Sequence, residues 1–297
     1  MPKKISDIAL AKVPALGDCI ALFRSKLEIA HYAAGSITDY CHAIYKAVAF
    51  VGKVPEEFTQ EDADRYMLSM LQRKPQPAES QFRHFVYGLK IYLRTMDYPD
   101  LHGLVMPKVR RKKRLPRVLS EESVLRLLAT DDIYAKALLG IVYECGLRAF
   151  EACGLCWRDI DADRRQVHIR EGKGGKDRIV PIADNMLCVL AHYRKLHPSM
   201  TYVFKSFGRD EPIKPAYIRI ILKSKLQEAG LDTTLTTHSL RHSYATHLLE
   251  RGEDIQTVQQ RMGHKHVTTT MVYLHVANVK RNAPIRLLDI IVPPKKR

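Results

Sequence analysis

Acidic residues are scarce in this sequence relative to basic ones. Its 297 residues include 48 Lys and Arg against 32 Asp and Glu, which leaves a formal net charge of +16 at pH 7. Such a chain attracts polyanions, and nucleic acids and anionic membranes are the usual ones. We expect no membrane partner, because the sequence has neither a long apolar run nor a strongly amphipathic anchor. The basic N-terminus also lacks the continuous apolar segment of a signal peptide, so a cytoplasmic, nucleoid-associated protein is expected.

Cysteines are few as well. Six of them, scattered at positions 19, 41, 145, 153, 156 and 188, do not form the framework of a disulfide-rich secreted protein, so reduced thiols are expected. Cys153 and Cys156 have the spacing of half a zinc site, but no second Cys/His pair at finger-like spacing follows, and no metal is expected. The sequence also has no P-loop and no carboxylate cluster typical of a two-metal nuclease.

The strongest change in composition is PKVRRKKRLPR, residues 107–117, which has prolines near both ends and almost no apolar residue. Like charges at this density repel, which predicts an extended segment. It is either a solvated tether or a strap along DNA phosphates, and the basic character of the whole chain favours the strap. The predicted phosphate contacts are Lys108, Arg110, Arg111, Lys112, Lys113 and Arg114. This linker separates two predicted domains, residues 1–106 and 118–297.

Apolar residues before the linker recur at helical spacing. The predicted helices cover residues 17–34, 36–52, 60–73 and 78–96. Ser36 is the expected N-cap of the second helix, and Thr59, with Asp62 three residues later, is that of the third. The first domain is therefore predicted to be a small helical bundle with a polar and basic face. The pattern does not identify the face that meets DNA.

After the linker the sequence predicts a mixed unit. Ser120 is the expected N-cap of a helix. Gln166 to Arg170 and Arg178 to Ile182 alternate in polarity like two strands, and the glycines between them predict a hairpin with lysines at its tip. From Pro215 onward the periodicity is helical again, with a break at Gly263. The fold class is therefore mostly α with a small antiparallel sheet (α+β).

Four stretches carry candidate chemistry, in the order ECGLRAFEACGL (144–155), EGKGGKDRIVP (171–181), THSLRHSYATHLLERGEDIQTVQQRMGH (237–264) and TTTMVYLHV (268–276). Each alone is a weak signal in a chain with 14 tyrosines and 13 histidines. Together, in this order, they resemble the catalytic domain of the tyrosine recombinases, or phage integrase family, most closely its Xer-like branch. The resemblance covers about residues 117–280. The helical N-terminal half resembles that family's core-binding domain, with a SAM-like fold, on weaker grounds.

The resemblance implies an active site composed of Arg148, Lys173, His238, Arg241, His264 and Tyr273. Planar guanidinium groups can hold the non-bridging oxygens of a phosphodiester bidentately, in place of a metal ion. His238 and Arg241 are three residues apart, so a helix that begins near Thr237 would project both from one face. Tyr273 is the implied nucleophile. Its 3′-phosphotyrosine would store the energy of the broken bond, so no cofactor is implied.

Two proton transfers accompany this chemistry. A phenol with a pKa of about 10 must lose its proton as it attacks, and His238 is the best-placed candidate base in the sequence. The resemblance makes Lys173, at the hairpin tip, the general acid for the departing 5′ oxygen. Lys176 is the alternative candidate for the general acid, and if it does not have that role it is expected to contact a phosphate. His242 and His247 are expected to be structural or to lie near the phosphate without a catalytic part.

Phe150 departs from the family pattern, since a small residue, often Ser, is usual two positions after the first arginine. Packing around Arg148 is therefore expected to differ, whereas Glu151 retains the family's acid and is expected to orient its neighbours. The resemblance further implies a tetramer, of one subunit or with a paralogous one, on two double-stranded DNA recombination sites, with strand exchange through a Holliday junction. The apolar end, Ile285 to Ile291, packs on its own domain or docks onto a neighbouring subunit.

Two other functions are weighed against this one. A type IB topoisomerase-like enzyme would use a similar tyrosine site but relax DNA as a monomer, and the short apolar tail argues mildly against it. A non-catalytic DNA-binding regulator of the same fold would have lost part of the active-site set, and all six positions are filled here. The lead before the first predicted helix is short, so no separate arm-binding domain is expected. Side-chain types do not distinguish integration, excision, inversion and dimer resolution.

Overall fold

In the computed structural model, residues 4–101, 103–107, 115–172, 176–206 and 208–277 are described, except for the side chains of residues 171, 172 and 176. The chain divides into two compact units, Met1–Lys112 and Lys113–Arg297. All six cysteines are free thiols. Among the described helices, none is long and apolar enough to cross a membrane.

The first unit is helical throughout its described part. Its helices are α1 (Ile5–Lys12), α2 (Leu16–Ile29), α3 (Ala34–Val51), α4 (Gln60–Leu71) and α5 (Glu79–Thr95), with a 3₁₀ turn at Pro55–Glu57. The four predicted helices are confirmed as α2 to α5, but the first ends at Ile29 and does not extend to residue 34 as predicted. The additional helix, α1, was not predicted, because eight residues cover little more than two turns and show the apolar period poorly.

Two predicted helix starts have different outcomes. Thr59 caps α4 as predicted, since its hydroxyl accepts from the Asp62 backbone N–H at 3.2 Å and the Asp62 carboxylate accepts from the Thr59 N–H at 3.2 Å. The predicted N-cap at Ser36 is wrong, because α3 begins at Ala34 with an extended Ala33 before it. Ser36 therefore lies inside the first turn. Alanine at these positions favours the longer helix.

The core of the first unit follows the apolar stripe of α5. Phe82, Phe85, Leu89 and Tyr92 recur every three or four residues, and all four side chains are buried. The Phe85 ring meets that of Tyr66 edge to face, with 4.8 Å between centroids. Burying each such aromatic side chain stabilises the unit by about 1.5 to 3 kcal/mol.

The second unit combines eight α-helices, a 3₁₀ turn at Trp157–Asp159 and a small sheet in its described part. The helices are α6 (Glu121–Leu128), α7 (Ile133–Glu144), α8 (Ala149–Gly154), α9 (Asp184–Leu196), α10 (Pro215–Glu228), α11 (Thr237–Glu250), α12 (Ile255–Met262) and α13 (Val267–Leu274), and the strands are β1 (Ile160–Asp161), β2 (Gln166–Gly172) and β3 (Lys176–Pro181). Ser120 caps α6 as predicted, because its hydroxyl accepts from the Ser123 N–H at 3.2 Å.

The predicted hairpin is confirmed as the antiparallel pair β2–β3, and β1 adds a third strand beside β2. Val167 pairs with Val180, and both side chains are fully buried on the inner face. Ile169 pairs with Arg178. Because side chains alternate between the two faces of a strand, this register places Arg178 on the same inner face as Val180.

Helix α11 is buried on nearly all sides. Besides apolar residues such as Leu240, it buries the polar side chains of Arg241, Ser243 and His247. Ser243 is satisfied by two hydrogen bonds of 2.8 Å, one from the Leu119 backbone N–H and one to the Ser239 carbonyl. A helix enclosed in this way is held rigidly, which fixes the positions of the functional side chains that it carries.

Candidate active site

The chain brings distant candidate residues to neighbouring ends of helices in the second unit. Arg148 is the N-cap residue of α8, and Arg241 lies in the first turns of α11. His264 follows Gly263, the C-cap residue of α12, which has a left-handed φ of 60°. Tyr273 lies in the last turn of α13. The predicted helix start near Thr237 and the predicted helix end at Gly263 are both confirmed.

Three arginines cap the C-terminal carbonyls of α12. Arg178 Nε donates to the carbonyl of Arg261 at 2.8 Å, Arg241 Nη2 donates to that of Met262, and Arg148 Nη2 donates to that of Gly263 at 3.3 Å. These carbonyls lack helical partners and lie at the negative end of the helix dipole, so they attract cations. The guanidinium groups therefore converge on three consecutive residues immediately before His264.

Glu151 lies among the same arginines. Its carboxylate accepts two bonds from Arg178, at 2.9 and 2.7 Å, and one from Arg148 Nη1 at 2.7 Å, while Arg241 Nη1 is 3.8 Å away. Burial raises the pKa of Glu151, but the bonds and charges of Arg178 and Arg148 outweigh burial and lower the pKa to about 2. The ionised carboxylate fixes the orientation of the guanidinium groups, in agreement with the orienting role expected for it.

Arg241 is 97% buried by side-chain area, with only 3% exposed. Its guanidinium donates to the carbonyls of Gly146 and Met262. Burial, followed by the charge of Arg148, lowers the pKa of Arg241 to about 9, so the group stays charged at neutral pH. Each guanidinium has five N–H donors. Arg241 uses two of its donors in the bonds to the carbonyls of Gly146 and Met262. Arg148 uses two of its side-chain donors in the bonds to the Glu151 carboxylate and the Gly263 carbonyl.

Tyr273 is nearly enclosed, with 3% of the residue exposed. Its hydroxyl is 2.9 Å from Nδ1 of His242, and its ring stacks on that of His264 with 6.1 Å between centroids and 20° between planes. Burial raises the pKa of Tyr273, although the charges of Arg241 and Arg148 oppose the rise. The phenol is therefore protonated at neutral pH.

The histidines around Tyr273 are neutral at pH 7. Burial, then the charges of Arg241 and Arg148, lowers the pKa of His264 to about 4, and His264 Nδ1 is 2.9 Å from the Thr270 hydroxyl. Desolvation and the same two arginines also lower the pKa of His238, although this residue is exposed at the start of α11. In the described part of the chain, His238 makes no hydrogen bond to the Tyr273 hydroxyl.

An open cleft of about 1070 Å³ adjoins these residues. Its lining includes Arg148, Arg178 and His264, and Lys265 adds a further cation. Phe150 is 79% exposed, so its side chain lies outside the arginine cluster. Arg148 is instead contacted by Glu151. A cleft of this size and charge can admit a phosphate of a nucleic-acid backbone.

Several predicted site residues lie outside the described part of the chain. Lys173 and the predicted phosphate contacts of residues 108–114 are among the residues that the structure does not describe, as is the apolar end of the chain. Lys176 begins β3, but its side chain is not described. Their roles stay predictions.

Two residues of the cluster were missed as functional candidates. Arg178 is only 7% exposed and pairs with Glu151. A signal existed, because strand alternation places Arg178 on the same face as Val180, and a charge on an inner face needs a buried partner. His242 was expected to have no catalytic part. It lies four residues after His238 and so on the same helix face, but its contact with Tyr273 joins residues that are 31 positions apart.

The chain is similar in sequence and in fold to known proteins. Residues 117–280 match the model of the phage integrase family, and residues 20–102 match that of the phage integrase N-terminal SAM-like domain. Tyrosine recombinase XerA of Pyrococcus furiosus is 33% identical over 264 residues, which cover 86% of this chain and 88% of that protein. A crystal structure of XerA recombinase has a TM-score of 0.52 at 28% identity and covers 95% of this chain and 100% of its own. XerH recombinase bound to difH substrate has a TM-score of 0.64 at 19% identity, over 80% of this chain and 76% of XerH, a likeness of fold.

Proposed function

This chain belongs to the phage integrase family, and from that premise we propose that it is a tyrosine recombinase that cuts and rejoins DNA at specific sites through Tyr273. The supporting observation is the convergence of Arg148, Arg241 and His264 beside the enclosed phenol of Tyr273. The family match covers the residues that form this cluster.

Phosphate binding is the first task of the cluster. A phosphodiester under attack gains negative charge on its non-bridging oxygens, and guanidinium N–H groups stabilise that charge best where water is excluded. Arg148 and Arg241 are held by carbonyls and, for Arg148, by Glu151, so they need little reorganisation when the phosphate arrives. We assign His238 and His264 to further contacts with the same phosphate.

Covalent catalysis is the second task. Tyr273 attacks the phosphorus, the bond to the 5′ oxygen breaks, and the DNA strand is held as a 3′-phosphotyrosine. Lys173 is proposed as the acid that protonates the departing 5′ oxygen. A 5′ hydroxyl of another strand then attacks the phosphotyrosine and releases Tyr273. The ester conserves the energy of the original bond, so the proposal includes no nucleotide or metal cofactor.

The proposed partner is a double-stranded DNA recombination site. We propose that residues 1–106 form the core-binding domain, that residues 107–117 lie along DNA phosphates as a basic linker, and that residues 118–297 form the catalytic domain. A tetramer assembled on two sites, with exchange through a Holliday junction, completes the proposal, together with a cytoplasmic, nucleoid-associated location. The net charge of +16 supports a polyanionic partner.

Tyr273→Phe tests the nucleophile. The substitution removes one oxygen and keeps the ring that packs against His264. DNA affinity should therefore stay within about threefold of the wild-type value, since one phenolic hydroxyl contributes little to phosphate binding. Covalent protein–DNA adducts on a nicked suicide duplex should disappear. The duplex carries the site obtained by sequencing DNA trapped on the wild-type protein.

Two outcomes contradict the proposal. Undiminished adducts in Tyr273→Phe would assign the nucleophile to another residue. A wild-type protein that binds DNA but forms no adduct would remove the recombinase function itself. Tyr143→Phe is a matched control, because Tyr143 also pairs its hydroxyl with a histidine of α11, at 2.8 Å, and lies outside the proposed site.

A further inference from the structure

The phenolic hydrogen of Tyr273 has one close acceptor among the described side chains. His242 Nδ1 is 2.9 Å from the Tyr273 oxygen, a distance typical of a hydrogen bond. The His242 ring also lies against both neighbouring rings, with centroid separations of 5.4 Å to Tyr273 and 6.3 Å to His238. The imidazole is therefore held in one orientation by packing on two sides.

The other two histidines are less suited to receive this hydrogen. His264 is committed through Nδ1 to Thr270 at 2.9 Å, and its ring lies nearly parallel to that of Tyr273, so its face and not its edge meets the phenol. His238 is one helical turn before His242 and is exposed. His242 is thus the histidine whose ring nitrogen meets the Tyr273 hydroxyl.

We propose that His242 is a catalytic residue that takes the phenolic proton from Tyr273 as the tyrosine attacks the scissile phosphate. The inference rests on the proposed function, which it deepens. It requires the tautomer with hydrogen on Nε2, so that Nδ1 offers a lone pair to the Tyr273 hydroxyl.

The step balances in atoms and charge. The Tyr273 O–H bond breaks, its proton forms an N–H bond at Nδ1 of His242, and the phenolic oxygen forms a bond to phosphorus. The bond from phosphorus to the 5′ oxygen breaks, and that oxygen takes a proton from the general acid. Rejoining reverses every transfer, so the imidazolium of His242 returns its proton to the departing phenolic oxygen.

The surroundings of His242 make its basicity depend on bound phosphate. Burial, followed by His238 and Arg241, lowers the pKa of His242 to about 4. The other titratable groups that face it are His264, at the end of α12, and Tyr273, on α13. At neutral pH Nδ1 is therefore unprotonated and able to accept. A phosphodiester bound at Arg241 brings a negative charge that raises the pKa of His242, so the base strengthens when the substrate is in place.

The experiment compares His242→Asn and His242→Ala with the wild type in single-turnover adduct formation on the nicked suicide duplex. Asn keeps a hydrogen-bond acceptor near the Nδ1 position but cannot take a proton at neutral pH, whereas Ala removes both. We expect both variants to form adduct about 100- to 10,000-fold more slowly at pH 7, the range for loss of a general base. Their rates should rise about tenfold per pH unit as the phenol ionises.

A more acidic nucleophile provides a second readout. Ring-fluorinated tyrosine at position 273 lowers the pKa of the phenol, so it should restore much of the rate in both His242 variants. Loss of a purely structural contact would not be restored in this way. DNA affinity is measured in parallel and should stay within about threefold of the wild type, because His242 is not assigned to the phosphate.

His247→Asn is the matched control. His247 lies on the same helix, is buried, and pairs its Nδ1 with a tyrosine hydroxyl, that of Tyr143, at 2.8 Å. It has the same type of contact away from the proposed site, so its adduct rate and pH profile should match those of the wild type. The fluorescence of Trp157 checks that each variant is folded before its rate is compared.

A wild-type rate in His242→Asn would overturn the inference and reduce His242 to a residue that positions Tyr273. A wild-type rate in His242→Ala, or slow rates that neither rise with pH nor respond to fluorination, would overturn it as well. In all three cases wild-type adducts still form and the proposed function stands. Absence of adducts in the wild type would remove the proposed function together with the inference.

Discussion

Glu151→Gln removes the negative charge shared by three arginines without changing the size of the side chain. In the wild type the carboxylate accepts bonds of 2.7 to 2.9 Å from Arg148 and Arg178, and its side chain is only 6% exposed. The amide of glutamine keeps one acceptor oxygen but brings N–H groups towards guanidinium donors. The variant therefore leaves buried positive charges without a counterion.

The expected loss of stability is several kcal/mol. The difference between the ordinary pKa of 4.5 and about 2 in the folded protein corresponds to about 3 kcal/mol at neutral pH. Removing one partner of a buried ion pair costs about 3 to 5 kcal/mol. Because the folded pKa is depressed, this stabilisation is present above pH 4.5 and is lost as the pH falls towards 2. The two proteins should therefore converge in stability at acidic pH.

Urea unfolding of the full chain, followed through tryptophan fluorescence, measures this loss. Trp157 is the single tryptophan of the chain and belongs to the second unit, where the Arg194 guanidinium lies 4.6 Å from its ring centre. Its emission therefore reports on the unit that contains Glu151. Urea is uncharged and does not screen ion pairs, which makes it preferable to guanidinium chloride.

Glu121→Gln is the control for charge removal at the surface. Glu121 pairs with Arg251 at 2.9 Å, but their side chains are 51% and 66% exposed, so its loss should cost about 1 kcal/mol or less. A Glu151→Gln loss equally small at pH 7, or one that is the same at pH 7 and pH 3, would refute the reasoning from buried charge.

Two further predictions concern the backbone and the linker. Gly146→Ala should destabilise the second unit by about 3 kcal/mol, because φ at Gly146 is +56° and an added Cβ would lie 2.5 Å from the Tyr244 ring. It should also slow adduct formation, because the Gly146 carbonyl accepts a hydrogen bond from Arg241. Gly154→Ala, with no atom within 4 Å of the added carbon, is its neutral control, and equal stabilities would contradict the argument. Replacement of the lysines and arginines of residues 108–114 by glutamine should weaken binding to every DNA sequence and lower the salt dependence by nearly one unit per lost phosphate contact. An effect confined to one DNA sequence would rule out the proposed contact with phosphates.

Local structure was largely predictable from the sequence. The apolar period located α2 to α5, Thr59 and Ser120 cap helices as predicted, and strand alternation identified the hairpin. These features depend on residues within a few positions of one another, so a short window of sequence contains them. The wrong N-cap at Ser36 is also a local error. Ser36 is a good N-cap residue, but Ala34 is a good helix former two positions earlier, and the helix begins there.

The sequence by itself determined the family, through the order of four motifs, and with it the candidate residues Arg148, Arg241, His264 and Tyr273. Only the tertiary structure decided which groups meet. The capping of consecutive α12 carbonyls by three arginines and the contact of His242 with Tyr273 depend on how α8, α12 and α13 pack around α11 and β3. Such contacts join side chains far apart in the chain, and their geometry follows from packing that no local pattern encodes.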